Sequence, residues 1–191
     1  MNNPPLKKNK RKLKKYITMS FSCNLNGGYV LGCSSIGGVE KIWLGEYVDN
    51  VVAEFNSSSV ITGITTTGLT VYSFEQDIET AGLVQTGNYS RENGTVFYES
   101  LLSMKLFGLD ATVRQRMVEI GRAPLFAVIK SNAGDYYYCG LESSGRASAG
   151  EANLGQLLGD MNGLNQTISW KSANGVFLMD GAVLGTDITI A

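Results

Sequence analysis

Glycine interrupts this chain 23 times and proline only 3 times, and the stretches between are short, apolar and rich in β-branched and aromatic residues. That punctuation favours many short strands joined by turns over a helical bundle. Residues 29–31 lie between Gly27-Gly28 and Gly32, and residues 39–44 follow Gly37-Gly38. Ser57-Ser58-Ser59 is a turn before the β-branched run 60–64. Residues 68–79 form a further strand-like run in which Glu75, Asp77 and Glu79 alternate, so in a strand all three carboxylates share one face. Leu125–Lys130 is a short apolar strand. Ser131-Asn132-Ala133-Gly134 turns it into 135–141, where the rings of Tyr136-Tyr137-Tyr138 alternate in direction. The small, polar stretch 143–155 is expected to be a loop, flexible or ordered by a partner. Asp160-Met161-Asn162-Gly163 turns into a strand over 164–171, Asn174-Gly175 turns that into 176–179, and a last strand runs through 188–190.

Two stretches need arbitration. Thr95–Phe107 read with period two places Val96, Tyr98, Leu102, Met104 and Leu106 on one face, interrupted only by Ser100, and Thr95, Glu99, Ser103 and Lys105 on the other. Its aromatic and β-branched start makes it a long strand. After it, Asp110 is a good helix N-cap, and Val113, Met117, Val118 and Ile120 recur at near-helical spacing. Gly121 is expected to close that helix and Pro124 to prevent its resumption. The chain is thus mainly β, an antiparallel sandwich or barrel with one flanking helix at about residues 110–121. A chain of 191 residues buries enough surface to need no disulfide or metal staple.

Charge divides the chain. Residues 1–15 hold Lys7, Lys8, Lys10, Arg11, Lys12, Lys14 and Lys15 and no acid, whereas the other 176 residues hold nine bases and all 17 acids, a net of −8. The expected organisation is a basic N-terminal arm over 1–18 and a single β domain over 19–191. The arm is too charged to bury itself. No apolar region follows Tyr16 to make it a secretory signal, and no run approaches the roughly 18 apolar residues of a membrane span. Phosphates of a nucleic acid or an acidic neighbouring subunit are the surfaces it suits.

Histidine is absent, which removes Ser-His-Asp and Cys-His catalysis and every His-ligated metal. Cys23, Cys33 and Cys139 cannot supply four zinc ligands, and their odd number suits small buried hydrophobes better than a disulfide framework, although a Cys23–Cys33 bridge stays open. Gly27–Gly32 has the glycine spacing of a phosphate loop, but Cys33 stands where its lysine belongs. Asp160–Gly163 starts like a calcium loop and lacks the distal glutamate. Glycosylation sequons occur at Asn56, Asn88, Asn93 and Asn165, as they do by chance. No catalytic residue, cofactor or metal is expected, and the reading is of a protein that is not an enzyme. Glu75, Asp77 and Glu79 would need desolvation to act as hydrolase carboxylates, and nothing near them in sequence provides it.

The order of a long strand Thr95–Lys105, the capped helix Asp110–Gly121, Val128-Ile129-Lys130-Ser131-Asn132-Ala133-Gly134, Cys139-Gly140-Leu141-Glu142 and Gly159-Asp160-Met161-Asn162-Gly163 resembles the tail-tube-like structural proteins of bacteriophages, especially those of crAss-like and other Bacteroidetes phages. Ile36–Leu44 looks like that family's opening strand, and the resemblance covers about residues 20–180. The basic arm lies outside the pattern. The resemblance implies a virion protein, made in the host cytoplasm: a ring-forming subunit of a tail tube, tail hub or head–tail connector. It implies rings of this chain, sixfold or a multiple of six, between neighbouring tail or connector proteins, with genomic DNA passing through the lumen and no membrane contact. Glu75, Asp77 and Glu79 are then candidates for an acidic lumen face that repels phosphate. The alternative is a nucleic-acid-binding module working through the Lys7–Lys15 arm.

Overall fold

The computed structural model describes residues 36–191. The expected arm and its seven basic residues, the boundary at residue 18, the strand 29–31, the loop Gly27–Gly32, Cys23 and Cys33 lie outside the described residues. What is described is mainly β, with curled sheets arranged as a sandwich or barrel and one α-helix.

The larger sheet has eight strands: β1 (Val39–Glu46), β2 (Ala53–Phe55), β3 (Ile61–Ile64), β4 (Leu69–Glu75), β7 (Leu125–Ser131), β8 (Tyr136–Cys139), β11 (Phe177–Met179) and β12 (Ile188–Ile190). Their spatial order is β12-β4-β1-β7-β8-β11-β3-β2. The pairs are antiparallel except for two short parallel ones, β11 with β3 and β12 with β4. The smaller sheet is wholly antiparallel, in the order β5 (Gly82–Ser90), β6 (Thr95–Phe107), β10 (Gly163–Ser172), β9 (Arg146–Asn153).

Alternation along the strands produces two cores. Ile42 and Leu44 of β1, Leu125, Ala127 and Ile129 of β7 and Cys139 of β8 pack against Leu102 and Met104 of β6 and Ile168 and Trp170 of β10. The intervening residues Trp43, Phe126, Val128 and Tyr138 point to the other face of the larger sheet and are buried too, because that sheet curls. Phe126 stacks on Tyr138 with ring centroids 5.5 Å apart, and Trp43 on Tyr136 at 6.2 Å. The three tyrosines do alternate: Tyr137 packs against the inter-sheet core and its neighbours against the inner one. Gly45 of β1 carries the Phe126 ring directly over its α-carbon, where a Cβ would overlap it.

The strand over 95–107 is present with the expected bounds. Leu102 and Met104 are buried as the period requires, but Val96 is 53% exposed, because the β5–β6 hairpin runs past the core. Ser100, the interruption, lies on the buried face with its hydroxyl unpartnered among the described residues.

Helix α1 (Ala111–Arg122) begins as expected, the Asp110 carboxylate accepting from Val113 N–H at 2.7 Å. It ends differently. Gly121 lies inside the helix, and the chain turns extended at Ala123 (φ −75°, ψ 144°), since the residue before Pro124 is disfavoured in the helical region. Only Ile120 of its apolar residues is fully buried, and Val118 is exposed.

Two expectations about strands are corrected. Residues 143–155 are not a loop: Arg146–Asn153 is strand β9, paired with β10 from Ser169 to Gly163. And β4 stops at Glu75, so Glu75, Asp77 and Glu79 share no strand face. The Asp77 carboxylate accepts from Ile78 N–H at 2.8 Å, and Thr80 donates to the Asp77 carbonyl. This local turn competes with the ladder, and Glu79 sits at φ 63°.

Candidate assembly surface

The two sheets differ in how they end. The larger sheet is bounded by β12 and β2, each three residues long. Its ends are drawn together: the Asp187 carboxylate, just before β12, accepts from Ile64 N–H of β3 at 2.8 Å. Val52 and Thr65 hydrogen-bond across the mouth of the β2–β3 hairpin. Short, tied ends of this kind offer little template for another strand.

The smaller sheet is bounded by β5, nine residues long, and β9, eight residues long. β5 (GLVQTGNYS) carries no charge; β9 (RASAGEAN) carries Arg146 at its start and Glu151. Among the described residues, no backbone-to-backbone hydrogen bond reaches the outer side of either strand. The Gln166 side chain takes the Ala149 carbonyl at 2.9 Å, and Gln85 of β5 holds Val176 N–H at 3.1 Å through its side chain. Long strands with free amides and carbonyls and little charge can be continued by a further strand.

Helix α1 rests against β9 and β10: Met117 approaches Gly150, and Arg146 donates to the Arg122 carbonyl at 3.1 Å. The helix and the larger sheet cover one face of the smaller sheet. The opposite face bears Val84, Phe97 and Phe107 exposed, with Ser103, Thr167 and Ser169 between them and a Glu99–Lys171 ion pair at 3.5 Å.

Charge is partitioned between the two sheets. Segments 36–81, 123–145 and 173–191, which build the larger sheet and its connections, hold eleven acids and two bases, a net of −9. Segments 82–122 and 146–172, the smaller sheet and helix, hold six acids and seven bases, a net of +1. Within the first group Lys130 pairs with Glu40 at 2.7 Å, which raises the lysine pKa, and Lys41 pairs with Glu75 at 3.7 Å. Of the three carboxylates expected on one acidic face, Glu75 is therefore engaged, while Asp77 and Glu79 lie on the connection to β5. Sequence reasoning missed β5 altogether: Gly82, Gly87 and Asn88 are poor strand formers, and the adjacent Leu83 and Val84 show no period-two alternation.

Cys139 is fully buried in the inter-sheet core and burial pushes its thiol up to about 12, so it is a core side chain. Among the described residues, no group of three or more Cys, Asp or Glu is placed to hold a metal, and no helix is long and apolar enough to cross a membrane. No family model, curated protein sequence or solved structure matches the chain.

Proposed function

We propose that this protein is a ring-forming structural subunit, of the kind that builds a bacteriophage tail tube, tail hub or head–tail connector, and that it acts without catalysis. The observation that carries the reading is the contrast of edges: the larger sheet is tied off, whereas among the described residues β5, and β9 beyond the Gly145–Leu125 bridge, leave the smaller sheet open on both sides. In copies related by rotation, β9 of one runs antiparallel to β5 of the next, so the sheets join into one barrel without edges. Six copies give a barrel of 24 strands, roughly 35–40 Å between opposite backbones before strand tilt. That bore passes a DNA duplex after side chains are allowed for. The smaller sheet's hydroxyl-rich exposed face would line it, and the acidic larger sheet would form the wall. Glu75, Asp77 and Glu79 then belong to the wall and not the lumen. A nucleic-acid-binding module is the weaker reading, because its face should be basic within the fold and the described residues carry −8.

The test is electron microscopy and light scattering of the full-length chain and of a Val84→Lys/Thr86→Lys variant, both substitutions being at exposed positions of β5. The wild type should form closed rings and the variant should not, with unchanged melting. A monodisperse monomer at high concentration, with no ring in assembled particles, overturns the proposal.

A further inference from the structure

The connection from β9 to β10 exposes three leucines within five residues. Leu154 is 74% exposed, Leu157 76%, and Leu158 fully so. The loop is ordered: the Asp160 carboxylate accepts from the amides of Gln156 and Leu157 at 2.8 and 2.9 Å. Those two bonds hold the Asp160 pKa down. Asp160 is the only charged residue between Glu151 and Lys171, so the knob has no other charge to desolvate. Phe107, half exposed, stands beside its base, where Gly108 N–H meets the Asn162 carbonyl at 2.9 Å.

On the opposite edge of the same sheet lies an open groove of about 520 Å³. Val39, Leu83, Ile129, Tyr137 and Val176 supply its apolar lining and Ala133 stands at its rim. Leu83 is the second residue of β5, so the groove flanks the beginning of that strand. The knob follows the end of β9. In an antiparallel pair, the end of one strand lies beside the beginning of the other. Pairing β9 with β5 of the next copy therefore brings knob and groove to the same seam.

We propose that the Leu154–Leu158 knob of one copy seats in the groove beside β5 of the next, a heterologous contact that fixes the register of the joined strands. The inference rests on the ring reading above. It supplies what pairing alone lacks, because a low-charge, glycine-bearing edge specifies its register weakly.

The test uses two full-length variants. Leu157→Asp/Leu158→Asp disables the knob, and Ala133→Arg obstructs the groove; Ile36→Asp, at the exposed lip, replaces the latter if it melts low. Each alone should self-associate about tenfold or more weakly than wild type, judged by sedimentation, with unchanged melting. An equal mixture should associate more tightly than either alone, because one intact knob then meets one intact groove. A mixture that behaves as the average of its components, or a knob variant that assembles like the wild type, overturns the inference. Rings formed by that knob variant would leave the ring reading standing. A mixture effect without closed rings in the wild type would sink the ring reading and keep the contact.

Discussion

Replacing Gly145 by alanine should destabilise the fold by about 2–4 kcal/mol. Gly145 precedes β9, and its N–H and C=O bridge Leu125 O and N at 2.8 and 3.0 Å. The Leu125 carbonyl also accepts the Trp170 indole N–H at 3.0 Å, and Trp170 is only 2% exposed. A Cβ on Gly145 would overlap the five-membered part of the indole: Nε1, Cε2 and Cδ1. Gly145 is not among the residues with positive φ, so the cost is purely steric. Overpacking of this kind costs about 1–3 kcal/mol. Losing the buried indole hydrogen bond adds about 0.5–1.5 kcal/mol. For a chain of this size the sum lowers Tm by roughly 5–15 °C. Urea unfolding followed by tryptophan fluorescence measures it, and the slope on urea should not change. Trp170→Phe removes the ring that would clash, so it should cost less in the alanine background than in wild type. A loss under about 0.5 kcal/mol, or strict additivity of the two substitutions, would refute the reasoning.

Four further outcomes are expected. Met104→Pro, in a central strand and 1% exposed, should cost upwards of about 3 kcal/mol and leave little soluble protein in an expression trial. In a Cys23→Ser/Cys33→Ser background, Cys139 should resist a thiol reagent until denaturant is added, since its pKa of about 12 lowers the thiolate population about 1,000-fold from that of an ordinary thiol. The Asp160 pKa is depressed, so its stabilisation of the knob loop is complete above the usual carboxylate range and is lost as pH falls through the lowered value. Amide exchange at Gln156 and Leu157 should lose protection over that acid window and in Asp160→Ala at neutral pH. Deleting residues 2–15 should leave the melting of the β fold unchanged while removing a salt-dependent contribution to assembly or DNA binding. Comparing particle incorporation with DNA retention at two salt concentrations separates those roles.

Most strands were legible because their chemistry is local. Val-Ile runs, an Asp cap and Asn-Gly turns act over a few residues, so Thr95–Phe107, Asp110 and Asn174-Gly175 lie where the pattern puts them. β9 was illegible because nothing in Arg146–Asn153 favours a strand; the ladder from β10 and the Trp170 ring seated on Gly145 fix it from 10 to 25 residues further along the chain. The acidic trio failed for the converse reason. Asp77 and Thr80 build a turn that overrides an alternation visible in the letters. The open edges were foreseeable only as a tendency, since which strands lie outermost depends on the order β5-β6-β10-β9, a property of topology and not of any one segment.

The partition of charge also bears on assembled particles as colloids. With −9 in the larger-sheet segments and +1 in those of the smaller sheet and helix, a closed ring of chains lacking the seven bases of residues 2–15 would multiply the negative charge on its outer wall and leave its bore nearly neutral. Tubes of such rings would repel one another sideways over about a Debye length, roughly 8 Å at physiological salt. Little charge would oppose the smaller sheets meeting edge to edge. High salt would screen that sideways repulsion while leaving the hydrogen-bonded seams within each ring little affected.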